Sequence, residues 1–166
     1  MNYGFTEEQQ MIKDLCKQIA DEKIKPVRAQ YDETAEFPRE MIKVFADSDL
    51  CGLYIEEKYG GMGGGILNLC IAVEELSKVC SGIALALAAT ALATFPIIMY
   101  GNDEQKKKYL PLIASGKTLA AFALTEANAG SDAAAISTTA TRDGNEYILN
   151  GTKQWITNGV VSDIYV

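Results

Sequence analysis

Apolar residues recur at helical spacing through most of the chain and switch to a two-residue alternation near its end. Thr6-Glu7-Glu8-Gln9 reads as a capping box, and Met11, Ile12, Leu15 and Ile19 follow it at helical spacing. Pro26 predicts a break or kink, with a second segment running towards Tyr31. Phe37-Pro38 predicts another helix start, with Met41, Ile42 and Phe45 as its apolar face. A short apolar run over 50–55 leads into five glycines within the seven residues 59–65, which predicts a loop needing positive φ or close backbone approach. A helix is predicted over 66–79, with Ile66, Leu69, Cys70, Val73 and Leu76 on one face. From 79 to 102 no residue is charged, and the run 83–99 is long enough to raise the question of a membrane span. Alanine and threonine dominate that run and Pro96 interrupts it, so the pattern predicts the buried central helix of a bundle instead. Asp103-Glu104-Gln105 opens a last helix, Tyr109, Leu110 and Ile113 face inward, and Gly116 can end it.

After residue 117 the period changes. Residues 119–125 form an apolar, strand-like run, 136–142 are rich in threonine, and Asp143-Gly144 is a hairpin turn signal. Residues 146–149 alternate, Asn150-Gly151 is a second turn signal, and 153–157 and 163–166 read as further strands. The fold class is therefore α+β: an all-α helical domain over 1–117, then an incomplete antiparallel β-domain over 118–166. Short strands in so few residues seldom close into a unit without edges, so the expectation is that the β-domain continues past Val166.

Composition narrows the function. With no histidine there is no Ser-His-Asp triad, no imidazole base and no histidine-ligated metal. Fifteen basic against 22 acidic residues give a net charge of −7, a poor balance for holding nucleic acid. Cys16, Cys51, Cys70 and Cys80 form no CxxC, and they read as reduced core thiols, Cys70 and Cys80 sharing one helix. No basic stretch followed by an apolar one opens the chain, so no secretory signal is expected. Glu74 and Glu75 are adjacent, point about 100° apart on a helix, and read as a solvated or salt-bridged face.

Two segments can carry chemistry. Thr125-Glu126-Ala127-Asn128-Ala129-Gly130-Ser131-Asp132 lies between predicted strands. Thr125, Ser131, Asn128 and the backbone at Gly130 gather hydrogen-bond donors in one turn, and successive loop N–H groups can form an anion nest. Composition alone would make it an ordinary polar loop, and it matches neither the P-loop nor the dinucleotide fingerprint. Asn150-Gly151-Thr152-Lys153-Gln154-Trp155-Ile156-Thr157-Asn158-Gly159 holds the only tryptophan. An aromatic face near a threonine hydroxyl can cover a planar ligand, although on the residues alone Trp155 reads first as core filling.

Together these two segments resemble the acyl-CoA dehydrogenase family. Phe5-Thr6-Glu7-Glu8-Gln9 resembles the family's opening, Tyr59-Gly60-Gly61-Met62-Gly63 its glycine-rich loop, and the residues 101–110 the end of its helical domain. The resemblance covers essentially the whole chain in order. It implies a helical domain, a middle β-domain and a C-terminal helical bundle, with FAD oxidising an acyl-CoA thioester to the trans-2-enoyl-CoA. A carboxylate takes the α-proton while flavin N5 takes hydride from the β-carbon. Carried over by position, Phe122, Leu124, Thr125, Gly130 and Ser131 contact FAD, Thr125 on its pyrimidine side, and Ser131 also borders the acyl-CoA substrate. Trp155 and Ile156 lie against the flavin, and the Thr157 hydroxyl sits near N5, where an aligned donor stabilises arriving charge. Ala127 and Asn128 stand where many relatives have proline and glycine.

The resemblance places the catalytic glutamate beyond Val166, so neither Glu126 nor Glu75 is assigned that role and the 166 residues alone are expected to be inactive. It also implies an electron-transferring flavoprotein as partner, a homotetramer, and a cytoplasmic or mitochondrial-matrix setting with no membrane insertion. The stretch Ala84, Leu85, Ala88 and Ala89 resembles the helix that lines the acyl pocket. An oxidase or enoyl-CoA reductase on the same scaffold, or a non-catalytic interaction module, are the alternatives.

Overall fold

The computed structural model describes residues 4–166. Among these residues six α-helices come first: α1 (Glu7–Ile19), α2 (Arg28–Thr34), α3 (Arg39–Asp47), α4 (Gly65–Ser77), α5 (Ser81–Tyr100) and α6 (Asp103–Ala114). Four short strands follow: β1 (Ala120–Ala121), β2 (Thr139–Asp143), β3 (Glu146–Asn150) and β4 (Ile164–Tyr165).

The capping box forms as expected, with the Thr6 hydroxyl accepting from Gln9 N–H at 3.2 Å and Gln9 Oε1 accepting from Thr6 N–H at 3.0 Å. Pro26 acts upstream of itself. In an unbroken α-ladder its ring would crowd the carbonyl four residues back, and the ladder instead slips to a π-helix over Ala20–Ile24, closed by Lys25 N–H on the Ala20 carbonyl. The glycine loop has positive φ at Gly60, Gly63 and Gly65. What it approaches is its own chain: Met62, Gly63 and Gly64 donate to the carbonyls of Gly52, Ile55 and Leu53.

Helices α1 and α4 pack together, α4 packs on α5, and α5 lies against α6 and β1. By length and composition α5 could cross a membrane, yet nine of its residues are buried inside the protein. Phe45, Leu76, Leu87, Leu110 and Ile113 are shielded from solvent at the centre of the core. Glu75 is buried in the α1–α4 contact and ion-paired, with Lys78 Nζ at 2.6 Å and Lys13 Nζ at 3.8 Å, while Glu74 reaches Lys78 from solvent. Cys16 and Cys51 are core thiols, and burial pushes each up to about 12. Cys70 is exposed on α4 and Cys80 lies beyond that helix, which corrects the reading of both as core residues of one helix.

An antiparallel hairpin joins β2 to β3, with Thr139 opposite Asn150 and Asp143 opposite Glu146. The run 119–125 pairs differently: β1 lies parallel to β4, and bonds from Asp163 to Leu119, Val166 to Ala121 and Ala123 to Val166 extend that pairing. Residues 153–157 are not a strand. Trp155 and Asn158 adopt left-handed backbone, φ 60 and 63, which a strand cannot accommodate. Asn150-Gly151 ends β3 without starting a second hairpin.

Candidate functional site

A groove of about 460 Å³ runs between α5 and the β-region. Leu85, Ala88, Ala89 and Leu92 form one wall, at i, i+3, i+4 and i+7 on α5. Phe122, Leu124 and Thr125 from the segment after β1, with Trp155, Ile156 and Thr157, form the other. Trp155 is 85% exposed, which rules out a core-filling role for its indole. Apolar walls carrying a flat aromatic and two threonine hydroxyls suit a planar ring with polar edges.

The two motif segments that make the second wall are fastened to each other. Gln154 N–H donates to the Thr125 carbonyl at 3.0 Å. Lys153 Nζ donates to the Leu124 carbonyl and to Glu126 Oε1, both at 2.8 Å. Glu126 is 5% exposed and collects four further donors: Ser137 N–H at 2.8 Å, Ser137 Oγ at 2.7 Å, Thr138 N–H at 3.0 Å and Thr138 Oγ1. Lys153 first, then the hydrogen bonds from Thr138 and Ser137, hold this carboxyl far below the usual carboxylate range. Its backbone pairs both ways with Ala129, closing the turn at Ala127 and Asn128.

The far end of the second segment is tied to α5. The Asn158 side chain is buried and donates to the Ala86 carbonyl at 2.9 Å and to Thr90 Oγ1 at 3.2 Å. Thr94 Oγ1 donates to the Thr90 carbonyl, and Tyr54 OH donates to Thr94 Oγ1 at 3.2 Å. A polar thread thus crosses the apolar helix, and the left-handed backbone at Asn158 is what turns its amide inward.

Six residues singled out by the resemblance meet in this groove: Phe122, Leu124, Thr125, Trp155, Ile156 and Thr157. Gly130 and Ser131 are exposed on the following turn and do not line it. On α5, Leu85, Ala88 and Ala89 face the groove, whereas Ala84 is buried in the core instead. Sequence reasoning missed Lys153, Asn158, Ser137 and Thr138 as shapers of the site. The one available signal was an acid and a base inside the two motifs, Glu126 and Lys153, 27 positions apart.

Residues 6–117 match the family description "Acyl-CoA dehydrogenase, N-terminal domain" and residues 121–166 match "Acyl-CoA dehydrogenase, middle domain". The short-chain-specific acyl-CoA dehydrogenase of Clostridium acetobutylicum is 41% identical over 167 residues, covering 100% of this chain and 44% of that protein. A solved chain described with the electron transferring flavoprotein of Acidaminococcus fermentans superposes with a TM-score of 0.96 at 45% identity, over 100% of this chain and 44% of that one. An acyl-CoA dehydrogenase complexed with FAD from Bacillus anthracis gives 0.89 at 38% identity, over 98% of this chain and 28% of its own. The chain spans less than half the length of these relatives. With both family domains matched in order, the chain belongs to the acyl-CoA dehydrogenase family.

Proposed function

We propose that the complete protein is an FAD-dependent acyl-CoA dehydrogenase, and that these residues supply its helical domain and one wall of its flavin site. The groove carries this reading, because it gathers the family's β-segment residues opposite a smooth face of α5. Similarity to a relative solved with FAD supports the cofactor. Bound FAD supplies the two-electron acceptor of the reaction. Trp155 would cover a flat ring face, the Thr125 and Thr157 hydroxyls would serve polar ring edges, and Leu85, Ala88, Ala89 and Leu92 would offer an apolar wall to an acyl chain. Fixing substrate and acceptor in one cleft contributes proximity, and excluding water from it strengthens every aligned donor. Glu126 is not suited to take the α-proton: five donors occupy its oxygens, and Lys153 with Thr138 and Ser137 holds its proton affinity far below that of an ordinary carboxylate.

In this reading Ser131 borders the CoA portion and Gly130 lets the turn approach the cofactor. Electrons pass on to an electron-transferring flavoprotein, the assembly is a homotetramer, and the setting is cytoplasmic or, in a eukaryote, the mitochondrial matrix. The test is the visible spectrum of the purified complete protein with FAD, then anaerobic titration with saturated acyl-CoA thioesters of graded length. Retained flavin that bleaches with one length class is the expected result. A protein that takes up no flavin overturns the proposal.

A further inference from the structure

Lys153 does more than neutralise a buried acid. Glu126 already has four donors from Ser137 and Thr138, so its lone pairs are served without an ammonium group. The distinctive bond of Lys153 is the other one, 2.8 Å to the Leu124 carbonyl. That carbonyl belongs to the peptide linking Leu124 to Thr125, two residues of the groove wall. The next carbonyl, of Thr125, is held by Gln154. The Thr125 N–H, at the other end of the Leu124 peptide, has no partner among the described residues. A cation on a peptide oxygen withdraws electron density and makes the same peptide's N–H a stronger donor.

We propose that Lys153 is a positioning residue that sets the electron affinity of the bound cofactor by polarising the Leu124–Thr125 peptide, with Glu126 as the opposing charge that moderates it. This rests on the FAD reading of the groove. Two-electron-reduced FAD is more electron-rich than oxidised FAD, so a polarised donor on the groove wall holds the reduced form more tightly. Lys153 shifts the balance towards reduction and Glu126 shifts it back. The two residues therefore act in opposite directions on the cofactor, although both fasten the same wall.

The opposition of sign is the test. Midpoint potentials of bound FAD are measured by anaerobic dye equilibration in the complete protein, for wild type, Lys153→Met, Lys153→Arg and Glu126→Gln. Lys153→Met is expected to lose about tenfold in preference for reduced over oxidised FAD, a fall of about 30 mV for a two-electron couple. Glu126→Gln is expected to move the potential upward, and Lys153→Arg to stay near wild type. A loosened wall alone has no reason to give opposite signs. Equal shifts in one direction, or unchanged potentials in variants that still hold FAD, overturn the proposal and leave the pair as a fastener. If Lys153→Met retains no flavin, Glu126→Gln decides alone: an upward shift supports the proposal and any other result overturns it. A wild-type protein that binds no FAD defeats the functional reading itself, which is a different and recognisable failure.

Discussion

The helical part and the part after β1 are held together by different physics. Every large side chain shielded almost completely from solvent, from Cys16 to Ile113, lies in the first part. Beyond Ala121 the buried residues are Glu126, Ala129 and Asn158, two of them polar, and all ten residues of β2 and β3 are exposed. Apolar burial is strong and non-directional, about 25 cal/mol per Å² removed from water, so the helices gain stability from volume. Hydrogen bonds and ion pairs contribute modestly to net stability but fix direction. The groove needs both: α5 offers a smooth wall supported by the core, and the opposite wall is aimed by Lys153, Glu126 and Asn158. Stability and site geometry are therefore separable properties of this molecule, and substitutions should sort accordingly.

The largest loss is expected at Phe45, which is completely buried on α3. Phe45→Ala removes a ring from a packed core and leaves a cavity, at a cost of about 3–5 kcal/mol. Denaturant unfolding followed by far-ultraviolet circular dichroism measures it. A loss below about 1 kcal/mol would break the comparison, because the helical part would then not depend on volume.

An intermediate loss is expected where the two regions are joined. Asn158→Gly keeps a residue suited to φ 63 and deletes both bonds to α5. Two net hydrogen bonds amount to about 1–3 kcal/mol. Hydrogen exchange sharpens the assignment. Protection should fall in residues 153–159 and persist in α1 and α4, since local opening draws on local contacts. Uniform loss of protection would show that the thread through Thr90 and Thr94 supports the core and not the wall.

What the sequence revealed follows the same division. Helices α1, α3, α4 and α6 were legible because burial writes a helical period into the chain, α5 because a long uncharged apolar run reads as a buried central helix, and the capping box at Thr6 and Gln9 marked a boundary. The π-helix before Pro26 was not legible, because a proline announces a break and not the form the ladder takes before it. The misjudged strand at 153–157 has a plain cause. Its composition favours β structure, but Trp155 and Asn158 take left-handed backbone, and the bond that ties Asn158 to α5 is tertiary and leaves no local pattern. Composition marked Thr125, Trp155 and Thr157 as candidates for a planar ligand, and only the resemblance joined them with Phe122, Leu124 and Ile156 into one site: exposed Trp155 and Thr157 carry no periodic signal. Glu126 and Lys153 were visible as charges, but their meeting depends on how two separate segments fold back on each other.

The smallest effect on stability should come from the residue expected to matter most for the ligand. Trp155 is 85% exposed and sits at φ 60, a conformation that costs a bulky residue on the order of 1–3 kcal/mol. Trp155→Gly relieves that strain while adding about 1 kcal/mol of backbone entropy to the unfolded chain. The two nearly cancel, so the unfolding free energy should stay within about 1 kcal/mol of wild type. FAD affinity should respond quite differently. Aromatic stacking on a planar heterocycle is worth about 1–3 kcal/mol, so binding should weaken by about tenfold or more. Equilibrium unfolding and FAD titration on the same preparation compare the two numbers directly. A stable variant that has lost its cofactor places Trp155 on the ligand's side of the ledger. A variant that binds FAD as tightly as wild type would mean the indole is exposed for some other surface, and the wall would then be recognised by its polar groups alone.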